Sequence, residues 1–265
     1  MLTADDIITT DKYLSLTNNN IVYLKTDQVK LGYDVIFWRD ALHKIRPGFI
    51  WITGHSDFSI DQSIFNKYHE NCKYWYTTNK DYKHDKLYAL PLGITNNTYE
   101  TELHPIYGNV DIMMDVLKYS RNIQNLVYMS FTISTFPMER QVCHDMFVNK
   151  TWVTKGKLEN SLKGRRTFLE EIRNHTFVLC PRGNGIDTCR LWETLYMGSI
   201  PIVINTAALE EFKDLPILFI DNWEEINPEF LNEKYAEIMS KTWNMEKLKF
   251  SYWERVIRKR NSEFL

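Results

Sequence analysis

The sequence predicts an α/β protein made of two parallel-sheet units, and three observations carry that expectation. Short runs of β-branched, aliphatic and aromatic residues alternate with stretches of helical periodicity along most of the chain. Between residues 176 and 204 an apolar strand, a glycine-containing loop, a helix and a second strand follow one another, the pattern of a parallel crossover unit. With 265 residues, the chain is long enough for one large domain or two small ones with a proper core.

Residues 21–24, 35–38, 49–53, 74–78 and 86–90 are the expected strands of a first unit. Residues 57–68 between them read as helix, because Ile60, Ile64 and Phe65 recur at helical spacing. A helix over 111–117 leads out of this unit. The second unit opens with a strand at 126–131, continues through a helix near 138–147 and a strand at 152–154, and closes with strands at 200–204 and 217–220. From residue 228 to the C-terminus, apolar residues at three- and four-residue intervals predict helix. No internal repeat, low-complexity tract or glycine-serine linker marks a boundary. Topology alone divides the chain into residues 1–120, 121–228 and a C-terminal helical segment 229–265.

The segment from Thr176 to Glu193 concentrates the chemistry. Its strand ends at Pro181, and Arg182, Gly183, Asn184 and Gly185 form a loop before Asp187 or Thr188 caps a new helix. A helix N-terminus after such a loop offers unpaired N–H groups and partial positive charge, which suit a phosphate. Arg182 and Arg190 add fixed cations. Arg190 and Glu193 share one helix face about 4.5 Å apart in rise, so that an arginine holding a pyrophosphate and a glutamate accepting ribose hydroxyls would fit one nucleotide. An ordinary i,i+3 ion pair between the two is the alternative. Arg140 follows the first strand of the second unit, with Ser130 and Phe131 at that strand's end, and would add a third positive group.

This segment resembles the donor-binding motif of the exostosin-like glycosyltransferases, family 47. The likeness extends more weakly to Ile52-Thr53-Gly54-His55-Ser56-Asp57, to Leu90-Pro91-Leu92-Gly93-Ile94, and to Met129-Ser130-Phe131 with Arg140. The resemblance implies a GT-B-like fold, two Rossmann-type α/β units with a cleft between them and a last helix crossing back to the first. It also implies transfer of a sugar such as xylose or galactose from a UDP-sugar to a glycan acceptor, with inversion and without a bound metal or other cofactor.

Inverting transfer needs a base for the acceptor hydroxyl and compensation for charge on the departing diphosphate. Asp57 is the first candidate base and His55 the second, both on the loop after a buried first-unit strand, with helix capping the structural alternative for Asp57. No Asp-X-Asp pair occurs in the chain to hold a divalent ion, so arginines must carry the compensation.

Composition narrows the remaining classes. A formal net charge of −2 gives no argument for nucleic acid or an anionic membrane as partner. The loop lacks the third glycine and the position of a dinucleotide fingerprint, and no phosphate-loop kinase motif is present. Four scattered cysteines fit neither a zinc pattern nor a disulfide framework. With no apolar run resembling a signal peptide or a membrane span, the expected location is cytoplasmic. The competing functional class is a non-catalytic nucleotide-sugar or glycan-binding module that keeps the donor cradle alone.

Overall fold

A computed structural model describes residues 2–31, 48–98 and 100–263. The first part of the chain runs α1 (Thr10–Leu14), β1 (Ile21–Lys25), α2 (Thr26–Leu31), β2 (Ile50–Gly54), α3 (Gln62–Tyr68), β3 (Tyr74–Thr77), β4 (Leu87–Ala89), α4 (His104–Tyr107) and α5 (Val110–Leu117). The second runs β5 (Asn125–Met129), α6 (Pro137–Phe147), β6 (Val153–Lys155), α7 (Leu162–Arg173), β7 (His175–Leu179), α8 (Cys189–Tyr196), β8 (Ile200–Ile204), β9 (Leu218–Ile220), α9 (Pro228–Met239) and α10 (Phe250–Ser262). The strand expected at 35–38 lies outside the described residues.

Both sheets are parallel throughout. The first is ordered β1-β2-β3-β4 and the second β6-β5-β7-β8-β9. Strands covered on both faces need apolar residues at every position, and β2 is buried along its whole length while β8 reads Ile-Pro-Ile-Val-Ile. In the second sheet the chain steps one way from β5 to β6, then returns past β5 to β7. That reversal creates a switch point between β5 and β7, where open α/β sheets hold ligands beyond the carboxyl ends of their strands.

One helix starts later than the sequence pattern suggests, and another lacks the side-chain cap expected of it. The helix expected from residue 57 begins at Gln62, because Asp61, not Ser56 or Asp57, accepts the capping hydrogen bond, from Ile64 N–H at 2.9 Å. Thr188 occupies the N-cap position of α8, but neither it nor Asp187 caps the helix with its side chain.

The largest buried cluster runs through both sheets. It joins Ile7, Ile50 and Ile52 of the first part to Trp192, Phe212, Trp253 and Ile257 of the second. Tyr196 on α8 ties the parts together further: its hydroxyl accepts from Ile8 N–H and donates to the Leu248 carbonyl, both at 2.9 Å. Near the C-terminus α10 reaches the first sheet, where the Arg260 guanidinium lies 3.8 Å from the centre of the Tyr88 ring and 4.8 Å from that of Tyr74. All four cysteines are free thiols. Among the described residues no helix is long and apolar enough to cross a membrane.

Candidate functional site

Loops leaving the carboxyl ends of β5 and β7 meet at the switch point beside a cleft of about 490 Å³. Its floor carries Arg140, Thr188, Arg190 and Glu193, while Thr95, Leu103 and Tyr107 from the first part of the chain form the opposite wall. A loop before α7 closes one end with Leu158 and Asn160, and Tyr107 donates to Asn160 Oδ1 at 2.6 Å.

Arg140 is held from behind. Its Nε donates to the Arg182 carbonyl at 2.8 Å, and its Nη1 to the Thr132 carbonyl at 2.8 Å and to Thr135 Oγ1. These neutral acceptors orient the guanidinium without cancelling its charge. Burial, and next the neighbouring Arg190, push Arg140 down to about 10, a strain that a bound anion would relieve. Both arginines lie against one ring, their guanidinium carbons 5.7 and 5.8 Å from the centre of Phe131. Among the described residues the Arg190 guanidinium has no hydrogen bond or ion pair, and its Nε is buried without a partner. Ser130 is buried at the end of β5 with its Oγ also unpaired. Two adjacent cations line the cleft, and neither forms an ion pair with a carboxylate among the described residues, an arrangement whose charge an anion would match.

The glycine loop itself is arranged differently from the cradle read in the sequence. Gly183 is needed by Arg140, since a Cβ there would sit 3.1 Å from Arg140 Nη2. Gly185 is needed by a residue of the first part: its Cβ would meet Asn79 Oδ1 at 2.9 Å. What comes close to the Gly185 backbone is therefore a side-chain amide of the protein itself. Asn79, in the left-handed region at φ 55°, accepts from Asp187 N–H at 2.8 Å and donates to the Ser56 carbonyl at 3.0 Å. The Arg182 guanidinium bonds the carbonyls of Gly183 and Asn184 and covers the Phe136 ring at 4.3 Å, outside the cleft lining. Asn184 is exposed at the tip.

Asp187 is a tie between the two parts of the chain. Its carboxylate accepts from Leu92 N–H at 2.8 Å and from Trp192 Nε1–H at 2.8 and 2.9 Å, and burial pushes it up to about 7. Glu193 does not pair with Arg190. Its Oε1 takes Arg165 Nη1 at 2.5 Å in a pair closed to solvent, leaving Oε2 without a hydrogen bond among the described residues. Arg165 gave no signal in the sequence, because its partner Glu193 lies 28 residues away.

The two candidate bases part company. Asp57 is exposed, and its carboxylate makes no hydrogen bond or ion pair among the described residues. His55 is half-buried in the left-handed region at φ 56°. Its Nε2 lies 2.8 Å from Asp11 Oδ1 and 2.5 Å from Asn96 Nδ2. Neither His55 nor Asp57 lines the 490 Å³ cleft, although Thr95, next to Asn96, does and touches Cys189 Sγ at 3.6 Å. Among the described residues no three histidine, cysteine or acidic side chains gather as a metal site.

The sequence matches no protein-family model and no curated protein sequence. A crystal structure of an α1,3-fucosyltransferase superposes on 74% of this chain and 66% of its own, with a TM-score of 0.43 and 13% identity. The chain thus spans just under two thirds of that protein's length. At this level of likeness nothing about chemistry transfers from one to the other. The resemblance to exostosin-like enzymes rests on the motif residues alone.

Proposed function

We propose that the chain is a GT-B-like glycosyltransferase that binds a nucleotide-sugar in the cleft at the β5/β7 switch point. The sugar passes with inversion to a hydroxyl of a glycan acceptor. One observation carries this reading: Arg140 and Arg190 face the cleft side by side with no carboxylate partner among the described residues, so a diphosphate supplies the charge the site lacks. UDP is the nucleotide and xylose, galactose or a related sugar the cargo, as the exostosin-like motif implies. As the bond from the anomeric carbon to the diphosphate breaks, negative charge grows on the leaving oxygens, where the two guanidiniums already stand. That compensation needs no metal, and the base comes from the first part of the chain. Glu193 Oε2 remains free to accept from a ribose hydroxyl, its partner oxygen being fixed by Arg165.

Calorimetric titration with UDP, GDP and CDP, followed by turnover assays with matching sugar donors in excess EDTA, tests the reading. UDP should bind, and Arg190→Ala should weaken it by about 1.5 to 3 kcal/mol, the scale of hydrogen bonds to a charged group, with no loss of stability. Equal binding by wild type and Arg190→Ala would end the proposal. Binding with no turnover of any donor would leave a nucleotide-sugar-binding module instead.

A further inference from the structure

We infer that Asp11 and His55 form a base dyad, with Nδ1 of His55 as the proton acceptor and Asp11 as its positioning residue. The carbonyl of Asn96 accepts from Asp11 N–H at 3.0 Å and from Thr10 Oγ1 at 3.1 Å, which turns the amide nitrogen toward His55. His55 Nε2 therefore sits between a carboxylate at 2.8 Å and an amide nitrogen. Of the two only the carboxylate accepts, so it takes the Nε2 hydrogen, while Asn96 Nδ2 donates to Thr10 Oγ1 at 2.8 Å, and the imidazole carries its lone pair on Nδ1.

Among the described residues that Nδ1 is buried and unpaired, and so are the Tyr23 hydroxyl and Thr78 Oγ1. The three orphans belong to one place, the carboxyl end of the first sheet. The Tyr23 and His55 rings meet edge to face at 5.7 Å, and a Cβ on Gly54 would lie 2.8 Å from the Tyr23 hydroxyl and 3.6 Å from Thr78 Oγ1. Each unpaired buried polar atom costs stability, and a histidine in the left-handed region adds strain. Stability given up repeatedly at one strand end marks a site for a hydroxyl-bearing ligand, which can donate to Nδ1 while accepting from Tyr23 or Thr78. Asp57, exposed and unpartnered among the described residues, has nothing to orient it.

The role in transfer rests on the donor reading above; the dyad geometry does not. In the step, Nδ1 takes the acceptor's hydroxyl proton as its oxygen bonds the anomeric carbon. The bond from that carbon to the diphosphate breaks, its electron pair stays on the diphosphate, and Asp11 faces the new imidazolium. Products are the glycosylated acceptor, nucleoside diphosphate and one proton.

Two measurements on the full chain decide the inference. With ¹⁵N-labelled histidine, two-bond NMR correlations should find His55 as the Nε2–H tautomer in wild type and shifted from it in Asp11→Asn. The Nδ1–H tautomer in wild type, or the same spectrum in both proteins, overturns it. In hydrolysis of UDP-glucose, UDP-galactose and UDP-xylose with water as acceptor, His55→Asn, chosen because asparagine tolerates the left-handed backbone, should lower kcat by at least about 10²-fold. Asp11→Asn should lower it by roughly 10-fold or more, with UDP affinity held within about threefold in both variants. Retained turnover in His55→Asn, or a loss confined to Asp57→Asn, overturns the assignment. If wild type binds no UDP the donor reading fails, and the tautomer still decides the dyad.

Discussion

The loop Arg182–Asp187 and the cleft face of α8 are neighbours in sequence, yet they use their polar atoms in opposite ways. The loop spends nearly all of them on the protein. Arg182 bonds the carbonyls of Gly183 and Asn184, Gly185 admits Asn79, and Asp187 joins Leu92 to Trp192. On α8, Arg190 has no polar partner among the described residues. The loop is accordingly a joint between the two parts of the chain, and the helix face carries a charge that no side chain among the described residues matches. A glycine-rich loop before a helix is thus not a cradle by itself; what decides is which groups remain unpaired once the chain has folded around it.

Glu193 tests the comparison hardest, because it belongs to both classes at once. Removing it in Glu193→Ala leaves Arg165, whose side chain is closed to solvent, as an uncompensated buried charge. The expected loss is about 3 to 5 kcal/mol of stability in urea unfolding, larger than for any neighbouring substitution. Arg165→Met combined with Glu193→Leu should recover much of it, since an apolar pair of similar volume avoids the desolvation cost. If Glu193→Ala unfolds like wild type, the pair is not structural and Glu193 belongs wholly to the ligand.

The parallel architecture was legible in the sequence because buried strands are short apolar runs bounded by turn residues, and β2, β3, β7 and β8 fall within a residue or so of the expected runs. Arg190 stood out for a related reason, since a cation just after a glycine loop is a local pattern, and Arg140 stood out for its place after the first strand of the second unit. The partners were illegible. Asn79 and Asp187 are 108 residues apart, Leu92 and Asp187 are 95 apart, and no periodicity encodes such pairings. Without those partners Asp187 reads as a helix cap and Glu193 as a ribose acceptor or, in the alternative, the partner of Arg190, each a local explanation. Asp11 carried no signal at all, since only the approach of α1 to the end of β2 gives it a role.

Asp187 offers a milder test of the joint through pH. Burial raises its folded-state value to about 7, above the unfolded carboxylate range, so between about pH 4 and 7 the native state holds a proton that the unfolded chain has released. Its contribution is present at the acid end of that window and is lost as pH rises through about 7. The stability difference between wild type and Asp187→Asn should therefore shift by roughly 2 to 3 kcal/mol from pH 5 to pH 7, wild type gaining toward acid. A difference that stays flat across the window would mean that Asp187 is not buried at a closed joint.

The smallest effect isolates the contact that replaces the expected ligand at Gly185. Asn79→Gly keeps the left-handed backbone at φ 55° and deletes only the amide, leaving Asp187 N–H without its acceptor, at a cost of about 1 to 2 kcal/mol. Gly185→Ala in the wild-type background brings a methyl to 2.9 Å from Asn79 Oδ1 and should also destabilise. In the Asn79→Gly background the same methyl has room, so the second substitution should cost little. The double-mutant cycle should then give a coupling on the order of 1 kcal/mol. UDP affinity should stay within about threefold throughout, because neither residue lines the cleft. If instead the two substitutions add independently and Gly185→Ala reduces UDP binding as strongly as Arg190→Ala does, the glycine is kept for the ligand and the division between joint and site is wrong.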